Sequence, residues 1–191
     1  MSGGGLRIVG GIHRGRRLAV PRGPALRPTA ERTREAIFDI LEHAPGMIEP
    51  SGAQVLDVFA GTGALGFEAL SRGAQRVTFI EHDRAAAGRL RETAQALGEA
   101  DKVAVVACDA EHPPRPSAEA APATLAFFDA PYASTLTAPA LTALMVRGWI
   151  ASGACCVVEV GIDEAFAAPT GFRLVDGRTY GAARVLFLAA P

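Results

Sequence analysis

Val55-Leu56-Asp57-Val58-Phe59-Ala60-Gly61-Thr62-Gly63-Ala64-Leu65-Gly66 decides the fold. The first five residues read as a buried strand, the glycines as a tight turn, and Ala64–Ser71 as the helix leaving it. Working outward, Arg76–Glu81 is the next strand and Arg84–Leu97, closed by Gly98, the next helix. Val103–Ala107, Leu125–Phe128 and Ala154–Val160 continue the strands, with a helix around Ala138–Val146. Four prolines between Glu111 and Ala123 mark a loop. Phe172–Val175 and Arg184–Leu188 lack a helix-length spacer and predict an antiparallel hairpin at the sheet edge. Strand–helix alternation of this kind predicts a doubly wound, mostly parallel α/β sheet that binds ligands at the carboxyl ends of its strands.

Upstream, Leu6–Val9 and Arg17–Val20 flank a Gly10-Gly11 break and predict a small hairpin. Thr29 is placed to cap a helix carrying Ile37, Ile40, Leu41 and Ala44 at helical spacing. The expected division is a basic arm over residues 1–28 and a catalytic domain over 29–191. Residues 1–34 hold eight arginines against one acid, Glu31, a balance of 8 − 1 = +7. The whole chain carries −1, so the remainder carries −1 − 7 = −8. Arginine bias explains why 18 of 19 basic residues are Arg, but not their clustering, which suits a phosphate backbone.

At 191 residues and 49% hydrophobic, the chain can bury a core, which excludes general disorder. It has no apolar run of membrane-spanning length, and no hydrophobic signal segment follows Met1, so a cytoplasmic protein is expected. Three cysteines and four scattered histidines fit neither a disulfide framework nor a metal site.

Gly61, Gly63 and Gly66 spell G-x-G-x-x-G, with Glu81 twenty residues beyond Gly61. Dinucleotides and S-adenosylmethionine both present ribose hydroxyls to such an acid. Asp57 tips the choice, because a carboxylate there suits the cationic amino-acid end of S-adenosylmethionine and repels a pyrophosphate. Asp109, just past the third strand, is placed to meet the adenine ring. Asp129-Ala130-Pro131-Tyr132 closes the fourth strand. A carboxylate and a main-chain carbonyl there can accept both N–H groups of an exocyclic base amine, and the aromatic ring can stack on an extruded base.

These blocks resemble the RsmD-like methyltransferases, which modify a guanine at N2 in bacterial 16S ribosomal RNA. Arg7 to Gly11, His13 to Leu18, and Leu26 to Thr29 through Arg32, Arg34 and Phe38 look like the family's N-terminal hairpin and following helix. Asp57 to Leu70 resembles its cofactor loop, and Asp129–Tyr132 its catalytic D-P-P-Y motif, with Ala130 in place of the usual proline. The match spans nearly the whole chain, apart from Pro113–Ala123 and the last few residues. It implies a Rossmann-like class I methyltransferase fold with a seven-stranded sheet whose last strand is antiparallel, and a small hairpin for RNA. It further implies S-adenosylmethionine as cofactor and a substrate in the small ribosomal subunit or its assembly intermediate; a monomer is expected. Arg7, His13, Arg14, Arg16, Arg17, Arg27, Arg32 and Arg34 are the expected RNA contacts. Competing classes are a nicotinamide oxidoreductase, an adenine-N6 methyltransferase, and a non-catalytic RNA-binding protein on the same fold.

Overall fold

The computed structural model describes residues 6–19, 28–118, 120–131 and 135–191, with side chains in the first helix described from Glu31 onward. Val20, Arg22, Arg27 and Tyr132, all within stretches named above, lie outside the described residues.

One seven-stranded sheet organises the chain. Its strands are β1 (Gln54–Val58), β2 (Arg76–Ile80), β3 (Val103–Val106), β4 (Ala123–Asp129), β5 (Ile150–Gly161), β6 (Arg173–Tyr180) and β7 (Ala183–Ala189), in the spatial order β3-β2-β1-β4-β5-β7-β6. The first five are parallel, and β7 runs antiparallel between β5 and β6. The expected terminal hairpin is therefore present, with the later strand inserted inward. The helices are α1 (Pro28–His43), α2 (Ala64–Ser71), α3 (Arg84–Leu97) and α4 (Thr137–Arg147). α1 starts at Pro28, one residue before Thr29, where a missing N–H costs nothing.

Strands covered on both faces must be apolar at successive positions, and these are. Val55, Phe79, Phe127, Val157 and Phe187 pack with α1, α2 and α3 on one face. Leu56, Ile80, Phe128, Val158 and Leu186 pack with α4 on the other. Cys155 and Cys156 fall on opposite faces, so these neighbours are free thiols within two separate cores. Trp149 packs in the second core and donates its indole N–H to the Pro114 carbonyl at 2.7 Å, tying down the proline-rich loop.

The N-terminal hairpin is reduced to one antiparallel bridge, Arg7 to Arg17, with Ile8 N–H donating to the Arg16 carbonyl and Leu18 N–H to that of Leu6. Its apolar side chains join the main core. Leu6, Ile8 and Leu18 are buried in the same cluster as α1 and α2.

Candidate active site

A cleft of about 940 Å³ opens at the carboxyl ends of β1 and β4, where the sheet changes its direction of winding. Strand order sets its layout. Asp109 lies beyond β3, Glu81 beyond β2, Gly61 beyond β1, Asp129–Pro131 at β4, Glu159 on β5, and the Tyr180–Ala183 turn joins β6 to β7. Adjacent strands are about 4.8 Å apart, so these groups form a row along the sheet edge. Thr33 of α1 and Leu136 also line the cleft.

Glu81 is buried, and each of its carboxylate oxygens accepts one backbone N–H, from Gly61 at 2.8 Å and Asp83 at 2.8 Å. Those bonds fix the carboxylate; the exposed His82 ring lies 3.2 Å from the oxygen bonded to Asp83, and the oxygen bonded to Gly61 keeps a second lone pair for a hydroxyl donor. Asp109 accepts from Glu111 N–H and from His112, which hold its pKa below the usual carboxylate value. The glycines divide their roles. Gly61, at φ 53°, lines the cleft. Gly63, at φ 74°, caps α2 and packs so closely on Phe67 and Leu90 that a Cβ has no room, and Gly66 packs likewise on Phe79 and Val77. Phe59, which motif reading did not single out, lines the cleft with φ 60°, a left-handed conformation that L side chains rarely adopt.

Asp57 departs from its expected role. It is 2% exposed, does not line the cleft, and accepts the Gly66 N–H at 2.8 Å. Gly63 has no side chain with which to cap α2, and Asp57 supplies the missing acceptor from β1. Burial pushes its pKa well above the carboxylate range despite this bond.

Asp129 opens onto the cleft, and Ala130 and Pro131 follow it along the wall. Asp129 and Glu159 are register partners on adjacent parallel strands, so their side chains leave the sheet on the same side. Glu159 belongs to no motif; its signal in the sequence is position alone, at the end of a parallel strand. Enclosure by protein on the sides away from the cleft, and then the Glu159 charge, raise the Asp129 pKa to about 7; water in the cleft tempers the first effect and leaves the direction unchanged.

The cleft lining contains five carboxylates, Glu81, Asp109, Glu111, Asp129 and Glu159, and no Arg or Lys among the described residues. Such a surface attracts a cation and repels a pyrophosphate. A sulfonium cofactor with an ammonium group and ribose hydroxyls fits it; a dinucleotide does not.

The basic arm divides as well. Arg7, Arg14, Arg16, Arg17 and Arg32 are exposed. Arg34 is not: at 4% exposure it lies beside Glu68 (3.5 Å) and donates to the Arg7 carbonyl at 2.6 Å. It holds the arm to the domain and offers no free fork to phosphate. His13 is mostly covered, with its ring 2.9 Å from Glu99, which also pairs with Lys102. Arg16 donates to the Ala96 carbonyl near the end of α3. Because α2 and α3 start at the cleft edge and run away from it, the hairpin tip by Ser71 and Ala96 sits at the opposite end of the sheet. No group of three or more potential metal ligands occurs among the described residues.

Known proteins share this architecture. The family described as conserved hypothetical protein 95 matches residues 6–189. Ribosomal RNA small subunit methyltransferase D of Escherichia coli K12 is 40% identical over 161 residues, 84% of this chain and 77% of that protein. The protein of the same name from Haemophilus influenzae is 34% identical over 182 residues, covering 93% and 90% of the two chains. The solved structure of the yhhF protein of Escherichia coli superposes with a TM-score of 0.80 at 34% identity, over 98% of both chains. The chain therefore belongs to the conserved hypothetical protein 95 family, the RsmD-like methyltransferases with a Rossmann-like fold.

Proposed function

We propose that the chain transfers a methyl group from S-adenosylmethionine to the exocyclic N2 of a guanine in 16S ribosomal RNA, within the small subunit or its assembly intermediate. One observation carries the reading. The described charged lining of the cleft is mainly carboxylate, and it includes Asp129-Ala130-Pro131 at the end of the central strand, in a family whose relatives are small-subunit rRNA methyltransferases. When bound, the cofactor supplies an electrophilic methyl group on a sulfonium. Glu81 would hold its ribose hydroxyls, Asp109 would face its adenine end, and Gly61 lets it approach the backbone.

The chain's own residues act on the acceptor. A guanine N2 amine is planar because its lone pair is delocalised into the ring. Asp129 accepts one N–H and the Ala130 carbonyl the other, which favours the pyramidal geometry that exposes the lone pair. Nitrogen becomes acidic as it is alkylated, and Asp129 then takes its proton. Tyr132 supplies the stacking face for the extruded base. Ala130 serves in place of proline because its main chain is what acts, and Pro131 biases it toward an extended conformation. Exposed Arg7, Arg14, Arg17 and Arg32, together with Arg27, contact RNA phosphates outside the cleft, so charge of one sign grips the backbone and the other receives cofactor and base. The setting is cytoplasmic, and the working form a monomer.

Mass-spectrometric nucleoside analysis of 16S RNA from cells with and without the gene tests the reading. N2-methylguanosine should disappear from one site without the gene and return with it. A change in N6-methyladenosine instead would favour the adenine alternative, and no change would remove the enzyme assignment.

A further inference from the structure

Resting on the guanine-N2 reading, we propose that Glu159 is the residue that selects guanine, by accepting the N1–H of the acceptor base beside the N2 amine that Asp129 and the Ala130 carbonyl hold. Asp129 and Glu159 are paired in register at the carboxyl ends of β4 and β5, about one strand spacing apart, and both open onto the cleft. Glu159 lies on the side away from Glu81 and Asp109, toward Thr33 and the Tyr180–Ala183 turn, so it faces the acceptor end of the row.

A single carboxylate beside Asp129 would serve any base amine. Two adjacent carboxylates match a base whose amine stands beside a ring N–H, and guanine presents N1–H next to its N2 amine. Adenine places an acceptor, N1, beside its amine, and that lone pair would face an anion. The second carboxylate thus separates the two amines chemically, which Asp129-Ala130-Pro131-Tyr132 alone does not do.

The test uses small-subunit particles reconstituted with 16S RNA carrying guanosine or 2-aminopurine at the acceptor position. 2-Aminopurine keeps the N2 amine but has an acceptor at N1. Wild-type protein should methylate guanosine about 10- to 100-fold faster than 2-aminopurine, the scale for one charged hydrogen bond. In Glu159→Gln, whose amide can donate to N1, the ratio should collapse toward one, with cofactor affinity and unfolding midpoint unchanged. Glu159→Asp keeps a carboxylate acceptor at shorter reach and should lose rate while still preferring guanosine. A Glu159→Gln protein that slows equally on both substrates, keeping the wild-type ratio, would overturn the inference while leaving guanine methylation intact. Failure of the wild type to form any N2-methylguanosine on native particles would instead overturn the reading on which it rests.

Discussion

Asp129 would carry opposite demands from the fold and from the proposed chemistry. Its raised pKa, about 7, means that the native state binds a proton more tightly than the unfolded chain does. Its contribution to stability is therefore full below the ordinary value of 3.8 and is lost as the pH rises through 7. Under the proposed reading activity has the reverse sign, since only a carboxylate would accept the amine proton. The pH profile of kcat/KM should rise through a transition near 7, flatten in Asp129→Asn, and shift to lower pH in Glu159→Gln, where the neighbouring negative charge is gone. A wild-type profile without that inflection would contradict this. The two acids flanking the glycine turn should separate in a second measurement. Glu81→Ala should weaken cofactor binding by about 1–3 kcal/mol, the worth of charge-assisted hydrogen bonds. Asp57→Ala strands the buried Gly66 N–H and should cost about 1–3 kcal/mol of stability in urea unfolding. Equal stability and a large drop in cofactor affinity for Asp57→Ala would restore Asp57 to the ligand's side.

At the level of elements, the hairpin and α1 form a basic face whose rigidity comes from contacts beneath it. Ile12 N–H donates to the Ser71 carbonyl at 2.8 Å and His13 N–H to the Ser71 hydroxyl at 2.9 Å. Gly11, at φ 73°, lies against the Ser71 carbonyl where no Cβ would fit. Under the proposed reading, a surface fixed in this way would lose little entropy on binding phosphates. Replacing Arg14, Arg16 and Arg17 together by Ala should lower RNA affinity and reduce the slope of log K against log salt. The reduction should be about 0.7–0.9 for each phosphate left without its arginine. Cofactor affinity should stay constant, because the tip lies at the opposite end of the sheet from the cleft. An unchanged salt slope would show these charges to be compositional.

Across the whole molecule, Glu68 joins the arm, α1 and α2. Fully buried, it accepts the N–H groups of Val9 (2.8 Å) and Gly10 (2.7 Å) and the Arg72 guanidinium (2.9 Å), and lies beside Arg34. Arg72 extends the network to Glu42 at 2.9 Å and covers the Phe38 ring. Removing one partner from a buried ion pair leaves the other charge uncompensated and costs about 3–5 kcal/mol. Glu68→Ala should accordingly lower the Tm by on the order of 10 °C. Glu68→Met combined with Arg34→Leu, which removes both charges, should recover part of that decrease by scanning calorimetry. If the single variant melts with wild type, the network contributes nothing net.

Local sequence determined the elements of the sheet. α2 and α3 fall on the residues read from periodicity and capping, Ala64–Ser71 and Arg84–Leu97, and the strand cores of β1 to β5 follow from apolar runs between turn signals. The glycine turn, the acid after β2 and the acid that ends β4 are placed by signals encoded within a few residues. What faces what was not encoded there. Asp57 turns to a helix N-terminus because Gly63 has no side chain to cap it. Arg34 is buried because Glu68, a carboxylate on α2 that belongs to no local pattern, lies beneath the arm. β7 inserts between β5 and β6, which carries the Tyr180–Ala183 turn to the cleft, and Glu159 meets Asp129 only through the β4–β5 register. Strand and helix follow from side chains acting on their own backbone. Partnership across the sheet follows from the register and the winding of the chain, which only the folded structure fixes.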